Sequence, residues 1–154
     1  MSSLRTILFA EDNPKDVELT LEALTEYNLA NQVVVVKDGV EVMEYLRCQG
    51  NYRMRQKGIP VVLLMDLKMP RMDGLETLQT IRNDAALKML PFVMLTSSRE
   101  EQDLIKSYEL GVNAYVVKPV DFKEFVNAVK QVGVFCAMIN ELPPIGDSSN
   151  GDKS

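Results

Sequence analysis

The stretch VVLLMDLKMPRMDG, residues 61–74, decides the fold. It opens with Val61–Met65, which is apolar at every position, and continues with Asp66 and a turn that contains Pro70 and Asp73-Gly74. An unbroken apolar run is typical of a strand in a parallel sheet, because helices cover both faces of such a sheet. A carboxylate beside a buried strand is costly unless it is paired or lies where the strand ends, so we expect Asp66 at such an end.

Four further short runs, rich in apolar residues, lie on either side of this stretch: Thr6–Ala10, Gln32–Val36, Phe92–Leu95 and Ala114–Val117. Each of the five runs is followed by a segment in which apolar residues recur at helical spacing. Five strand–helix units of ~30 residues predict an α/β fold, namely a doubly wound five-stranded parallel sheet with five helices. The expected strand order is the flavodoxin-like 2-1-3-4-5.

Helix start signals agree with this division of the chain. Asn13 is a predicted N-cap, and Pro14 is the predicted first residue of its helix. The segment Ser98–Glu101 has the pattern of a capping box for the fourth helix, and Asp121–Glu124 repeats that start signal for the fifth. From about Asn140 the chain becomes polar and rich in Pro, Gly and Ser, which is typical of a disordered tail.

Length and composition limit the classes of function. The 154 residues suit one domain, which we place at residues 4–132, with a C-terminal extension and tail at 133–154 and no output domain. The net charge of −5 disfavours binding to nucleic acid or anionic lipid. No apolar run approaches the ~20 residues of a membrane span, and two cysteines suit a reducing compartment, so we expect a cytoplasmic protein. The absence of histidine excludes His-ligated zinc and the Ser-His-Asp and Cys-His catalytic systems.

The residues that end the apolar runs carry the chemistry. They are Glu11-Asp12 after the first run, Asp66 after the third, Thr96-Ser97 after the fourth and Lys118-Pro119 after the fifth. Parallel strands end at one edge of a sheet, so these side chains should surround one cleft. Carboxylates packed together repel one another unless a cation neutralises them. An all-oxygen acidic group suits a hard ion, Mg²⁺ or Mn²⁺.

Such a cleft suits phosphoryl transfer. Asp66 is ionised at neutral pH, so its carboxylate can attack phosphorus and form an acyl phosphate without a general base. The metal ion, Lys118 and the hydroxyl of Thr96 would then hold the phosphoryl oxygens. Since the chain has no histidine, a phosphohistidine donor would belong to another protein.

Four separated motifs together resemble the receiver domain of two-component response regulators. They are Glu11-Asp12, the string DLKMPRMDG at 66–74, Leu95-Thr96-Ser97 and Lys118-Pro119. The resemblance implies that Asp66 is the phospho-acceptor and that Glu11, Asp12 and the backbone carbonyl of Lys68 join it around Mg²⁺. It also implies that Thr96 and Lys118 contact the phosphoryl group, and that Tyr115 is the aromatic residue that rotates with Thr96 on activation.

The resemblance further implies the partners. Receivers take their phosphoryl group from a sensor histidine kinase or a phosphotransfer protein and later hydrolyse it, so the chain is a signalling domain rather than an enzyme. Without an output domain it would act by phosphorylation-dependent binding of a partner. The segments 47–58 and 135–144 resemble those of small regulators that pair with phytochrome-type kinases in cyanobacteria.

A homodimer is also expected. The face made by the fourth helix, fifth strand and fifth helix is rich in aromatic residues, and the last helix continues the apolar pattern. The residues concerned are Tyr108, Tyr115, Phe122, Phe125, Phe135, Met138 and Ile139.

Two features of the sequence each allow more than one interpretation. Lys68 stands beside the phosphorylation site and could shield it or steer hydrolysis, so the lifetime of the phosphorylated state is open. The segment Arg47–Gly58 has four basic residues and no acidic one. It is either a docking patch for an acidic kinase surface or a solvated loop that balances an acidic body.

Other classes of protein fit less well. A haloacid-dehalogenase-type phosphohydrolase also uses an aspartate nucleophile with Mg²⁺, but it places a second Asp two residues later and uses the first strand. Here that position is Lys68 and the strand is the third. The phosphate-binding glycine motifs of dinucleotide and P-loop proteins do not occur. A flavodoxin-like electron carrier needs a phosphate-cradling loop where this chain has acidic residues. A binding-only pseudo-receiver would not be expected to retain every charged group.

Overall fold

The computed structural model describes residues 6–25, 32–56, 58–96, 109–118 and 122–132. The strands are β1 (Ile7–Ala10), β2 (Val33–Val36), β3 (Val62–Asp66), β4 (Phe92–Thr96) and β5 (Ala114–Val117). The helices in the described residues are α1 (Pro14–Thr25), α2 (Gly39–Arg47), α3 (Gly74–Arg82) and α4 (Phe122–Val132), and Gly50–Tyr52 forms a 3-10 turn. Helix α4 is the fifth helix of the prediction. The predicted fourth helix, with its capping box at 98–101, and the predicted tail at 133–154 lie outside the described residues.

The five strands form one parallel sheet in the order β2-β1-β3-β4-β5, which confirms the predicted topology. The register brings the carboxyl ends of the strands to one edge. Ala10 in β1 lies beside Met65 in β3, so Glu11 and Asp66 both follow at that edge. Thr96 in β4 lies beside Val117 in β5, so Lys118 follows there as well.

The core has two layers, one on each face of the sheet. On one face, Leu8 and Met65 pack with residues of α2 and α3, such as Leu78. On the other face, Phe9 and Leu64 pack with Leu24 of α1 and with Phe125 and Ala128 of α4. The central strands are buried on both faces, which is why their sequences are apolar at every position.

The burial of Phe125 corrects one element of the dimer prediction. Its side chain is 1% exposed and packs inside the domain, so it does not contribute to an outer aromatic face. The amphipathic pattern of the helix reflects packing on its own sheet at this position.

Among the described helices, none combines the length and the apolar character that crossing a membrane requires.

Side-chain caps fix the starts of three helices. The Oδ1 atom of Asn13 accepts the N–H groups of Lys15 and Asp16 at 2.9 and 3.2 Å, which confirms the predicted N-cap of α1. Helix α2 begins after Asp38, which accepts the N–H of Glu41. Helix α3 begins with a reciprocal capping box between Asp73 and Glu76. The turn before α3 was predicted from the sequence, but this capping box was not.

Gly74 lets α3 begin against the end of β3. A Cβ atom at this position would lie 2.7 Å from the Met94 sulfur and 3.0 Å from the carbonyl oxygen of Asp66. The N–H of Gly74 donates to the carbonyl of Leu67 at 2.9 Å. Only a residue without a Cβ allows this approach, and the approach anchors the segment that follows Asp66.

Arg55 links the basic segment 47–58 to helix α2. The guanidinium of Arg55 donates to the carbonyls of Tyr45, Gln56 and Gly58 at 2.7 to 3.0 Å and lies 3.9 Å from the centre of the Tyr45 ring. Arg47 pairs with Asp84 at 3.1 Å. Two of the four basic residues, Arg47 and Arg55, therefore make contacts within the domain.

Candidate functional site

Three carboxylates meet at the carboxyl edge of the sheet. Glu11 and Asp12 follow β1, Asp66 ends β3, and one oxygen of each lies within 4.8 Å of the others. Glu11 and Asp66 are buried, whereas Asp12 is exposed, so the group opens to solvent on one side. Oxygen ligands in this number and setting suit a hard divalent cation that keeps some of its waters. We call Glu11, Asp12 and Asp66 the acidic pocket.

Lys118 enters the acidic pocket from β5. Its Nζ atom donates to Glu11 Oε1 at 3.1 Å, to Asp66 Oδ2 at 3.0 Å and to Asp16 Oδ2 at 2.9 Å. The backbone N–H of Lys118 donates to the carbonyl of Thr96 at 2.7 Å, which holds the base of the side chain at the sheet edge. The acids and the amine that the strand ends predicted therefore do lie together.

Burial and charge shift the protonation of the site. Burial, and then the neighbouring charge of Asp66, raise the pKa of Glu11 to about 6, although contact with Lys118 opposes the shift. Burial alone would lower the pKa of Lys118, but its hydrogen bonds to Asp16, Asp66 and Glu11 outweigh burial and raise that pKa above its ordinary value. Lys118 is therefore a permanent cation, while Glu11 titrates close to neutrality.

Thr96 and Tyr115 stand on the two neighbouring strands at this edge. Thr96 is buried and is the last residue of β4. Asp66 pairs with Leu95, the residue before Thr96. Tyr115 in β5 pairs with Met94 in β4, and Met94 lies two positions before Thr96. The side chain of Tyr115 is half-buried against the core. Tyr115 also lines a groove of about 370 Å³ between β5 and α4. Pro119, which the sequence analysis grouped with Lys118, lies outside the described residues.

Lys68 lies on the segment that follows the acidic pocket. Its backbone N–H donates to Asp66 Oδ1 at 3.3 Å, while its side chain is exposed. The preceding residue, Leu67, continues the sheet pairing by donating its N–H to Leu95 at 2.8 Å. The backbone that carries the predicted carbonyl ligand is thus held in place next to Asp66.

Asp16 is a member of the site that sequence reasoning missed. It lies in the first turn of α1, and its carboxylate accepts from Lys118 across 102 positions of sequence. An acid in a first helical turn is ordinarily explained by the helix dipole. The available signal was positional, because α1 begins only three residues after Glu11 and so its first turn lies at the same edge.

A second missed feature supports the segment after Asp66. Arg71 donates from Nε and Nη2 to the carboxylate of Asp38 at 2.7 and 3.1 Å. Its backbone adopts φ of 64°, a left-handed conformation that side chains other than glycine seldom adopt. The pair joins the segment between β3 and α3 to the start of α2. No local sequence pattern marks it, because the two residues are 33 positions apart.

A family model described as the response regulator receiver domain matches residues 7–130, which is most of the chain. The chain belongs to the response regulator receiver domain family. As a receiver it is a signalling protein rather than a catalytic enzyme, and its family implies a histidine kinase as partner.

Known relatives indicate which kind of response regulator this receiver resembles. Response regulator Rcp1 of Synechocystis sp. (strain ATCC 27184 / PCC 6803 / Kazusa) is 34% identical over 139 residues, which cover 90% of this chain and 93% of Rcp1. A solved structure of the bacteriophytochrome response regulator AtBRR is 58% identical with a TM-score of 0.82, and the match covers 90% of this chain and 99% of AtBRR. A solved Mn²⁺-bound form of Rcp1 is 34% identical with a TM-score of 0.71, covering 90% of this chain and 99% of that one. The receiver is thus similar to phytochrome-associated response regulators.

Proposed function

We propose that this receiver accepts a phosphoryl group on Asp66 from a sensor histidine kinase or a phosphotransfer protein, and that it signals by binding a partner in the phosphorylated state. The observation that carries the proposal is the position of Lys118 Nζ, 3.0 Å from Asp66 and 3.1 Å from Glu11. A buried carboxylate that is held by an ammonium group and lies beside two further carboxylates able to bind a cation suits an acceptor of a phosphoryl group.

The same residues are suited to a divalent cation. We assign Glu11, Asp12, Asp66 and the backbone carbonyl of Lys68 as ligands of Mg²⁺ or Mn²⁺, and the similar protein Rcp1 has been solved in a Mn²⁺-bound form. When bound, the cation neutralises charge on the phosphoryl oxygens and reduces the repulsion between the carboxylates and the incoming anion. The exposure of Asp12 gives the cation a route from solvent.

The transfer step needs no general base on this chain. An oxygen of Asp66 forms a bond to phosphorus as the bond from phosphorus to the donor's imidazole nitrogen breaks, and the electron pair of that bond stays on the imidazole. Lys118 contacts one phosphoryl oxygen, and the hydroxyl of Thr96 contacts another. The chain has no histidine, so the imidazole belongs to the donor protein.

The response to phosphorylation begins at Thr96. We assign Tyr115 as the side chain that moves with Thr96, because it lies on the adjacent strand two positions back in the register. Tyr115 borders the groove between β5 and α4, so its movement changes the surface that a partner meets. Lys68, exposed beside Asp66, is placed to affect the lifetime of the phosphorylated state.

The kinase is proposed to be of the bacteriophytochrome type and to act in the cytoplasm. AtBRR, 58% identical to this chain, is itself described as a bacteriophytochrome response regulator. We also propose a homodimer through the face that contains β5 and the outer side of α4, or through the segment after α4. Light scattering at micromolar concentration tests the dimer, and a monomeric mass both with and without phosphorylation counts against it.

The phosphorylation experiment uses acetyl phosphate and Mg²⁺ with the full chain. We expect the mass of one phosphoryl group to be added to the wild type and not to Asp66→Asn. The matched control is Asp84→Asn, because Asp84 accepts from Ala86 and Arg47 outside the acidic pocket and its substitution should leave phosphorylation unchanged. Uptake by Asp66→Asn equal to that of the wild type contradicts the assignment. Continuous turnover of added phosphate esters supports the phosphohydrolase alternative instead.

A further inference from the structure

Lys118 has no hydrogen-bond donor to spare in this structure. An ammonium group has three N–H donors. Its three acceptors are Glu11, Asp16 and Asp66, all at 2.9 to 3.1 Å, and the Lys118 side chain is only 10% exposed. A phosphoryl group on Asp66 takes over the donor that Asp66 Oδ2 now accepts. Lys118 can donate to a second phosphoryl oxygen only if Glu11 or Asp16 gives way.

Glu11 is poorly suited to give way. Its side chain is 1% exposed, and its second oxygen already accepts the N–H of Asn13 at 3.2 Å. Release of Glu11 would leave a buried charge without its partner, which is strongly unfavourable. Asp66, under the proposed function, exchanges its own contact with Lys118 for one from the phosphoryl group that it carries.

Asp16 differs from Glu11. Its side chain is 31% exposed, so water can replace Lys118 around its carboxylate. It stands outside the group of three carboxylates that could hold a metal ion, so its release leaves that group intact. It also lies in the first turn of α1, where the helix N-terminus favours a negative charge even without Lys118.

We infer that Asp16 is a positioning residue that holds the third donor of Lys118 in the unphosphorylated receiver and competes with the phosphoryl group for it. The inference rests on the proposed function of Asp66 and Lys118. Asp16 keeps Lys118 directed into the acidic pocket while the pocket is empty of phosphate, and it weakens binding of a phosphoryl group by the strength of one charge-assisted hydrogen bond.

The test measures binding of beryllium trifluoride, which takes the place of a phosphoryl group on a carboxylate, at saturating Mg²⁺ by fluorine NMR. We expect Asp16→Asn to bind this probe at least about threefold more tightly than the wild type, because a neutral amide competes less for the ammonium. Asp16→Glu, which restores the charge, should return affinity towards the wild-type value. Damage to the fold would weaken binding, so a gain in affinity separates positioning from a merely structural role.

The matched control is Glu18→Gln. Glu18 lies on the same helix two residues away and is exposed, so this variant removes an equal charge without a contact to Lys118 in the described structure. Circular dichroism verifies that each variant is folded. Asp16→Asn binding equal to or weaker than wild-type binding, or a gain equally large in Glu18→Gln, overturns the inference alone. A wild type that binds no beryllium trifluoride overturns the proposed function and the inference with it.

Discussion

At the scale of single residues, Glu11 is a carboxylate whose charged form is disfavoured by burial and by the neighbouring charge of Asp66. Its folded-state pKa of about 6 lies above its ordinary value of 4.5. The folded protein therefore binds more protons than the unfolded chain between these two pH values, and the contribution of Glu11 to stability falls as the pH rises through that window. Above pH 6 the charged Glu11 destabilises the metal-free fold.

Removing this charge should stabilise the metal-free receiver. We expect Glu11→Gln to raise the free energy of unfolding by about 1–2 kcal/mol at pH 7.5, with a smaller gain at pH 5. Urea denaturation in the presence of a chelator measures both values. The exposed Glu18→Gln serves as control and should change stability little at either pH. A Glu11→Gln variant that is less stable than the wild type at pH 7.5 shows that the contact with Lys118 outweighs burial.

The site shows which residue positions sequence can reveal. Glu11, Asp66 and Lys118 were found because strand ends share one edge of a parallel sheet, a rule that needs only the strand order. Asp16 was not found, because its contact depends on the direction in which α1 leaves the edge. That direction is set by packing of α1 on the sheet, and no pattern local to Asp16 reports it.

At the scale of elements, Asp38 joins two of them. It caps α2 through the N–H of Glu41 and also receives Arg71 from the segment before α3. Burial raises the pKa of Asp38, but the hydrogen bonds from Arg71 and Glu41 outweigh burial, and the net shift is downward. The stabilisation is thus present above the ordinary pKa of 3.8 and is lost as the pH falls through the folded-state pKa.

Two substitutions separate the cap from the ion pair. Asp38→Ala should lower the free energy of unfolding by about 1–2 kcal/mol, because the helix loses its cap. Asp38→Asn keeps a cap acceptor and loses only the charge. Its free energy of unfolding should therefore fall by less, and only at pH values above the lowered pKa of Asp38. Urea denaturation at pH 7 and at pH 3 checks both. Equal losses for the two variants at pH 7 contradict a separate role for the cap.

Arg82, the last residue of α3, holds three segments together. Its guanidinium donates to the carbonyls of Gly111, Lys88 and Leu90 and to the side chain of Asn113, all at 2.7 to 3.1 Å. These groups belong to the connections before β4 and before β5. A single side chain therefore supplies donors to four acceptors in these two connections.

Replacing Arg82 should cost more than replacing an exposed arginine. We expect Arg82→Met to lower the free energy of unfolding by about 2–3 kcal/mol, because several carbonyl groups lose their donor. Arg47→Met is the matched control, since Arg47 makes one exposed pair with Asp84 and should cost less than about 1 kcal/mol. Comparable losses in the two variants, measured by thermal unfolding, count against this role of Arg82.

The elements themselves were largely readable from sequence. Apolar runs gave all five strands to within one residue at each end. Burial on both faces explains the apolar sequences of β1, β3 and β4, whereas the edge strands β2 and β5 are apolar although they are partly exposed. The N-cap at Asn13 depends on a local pattern and was predicted. The ion pair between Asp38 and Arg71 was not predicted, because it joins residues that are distant in sequence. It also uses a left-handed backbone conformation at an arginine, for which the sequence offers no marker.

At the scale of the whole molecule, metal binding and folding are linked. A cation that binds the acidic pocket only in the folded state raises stability with concentration, by ~1.4 kcal/mol for each tenfold increase above its dissociation constant. We expect Mg²⁺ to raise the melting temperature of the wild type relative to the protein in chelator. Asp12→Asn should lose most of that rise while its metal-free stability stays near that of the wild type, because Asp12 is exposed. Equal rises in both proteins place the cation elsewhere.

The contacts of Lys118 also have a consequence for biosynthesis. Two of the acids that it contacts, Glu11 and Asp16, are encoded near the beginning of the chain, and the lysine follows them by 107 and 102 residues. A nascent polypeptide that has emerged from the ribosome only as far as β4 therefore lacks the amine that joins these carboxylates in the folded protein. We expect this site to be completed during translation only after β5 has left the exit tunnel.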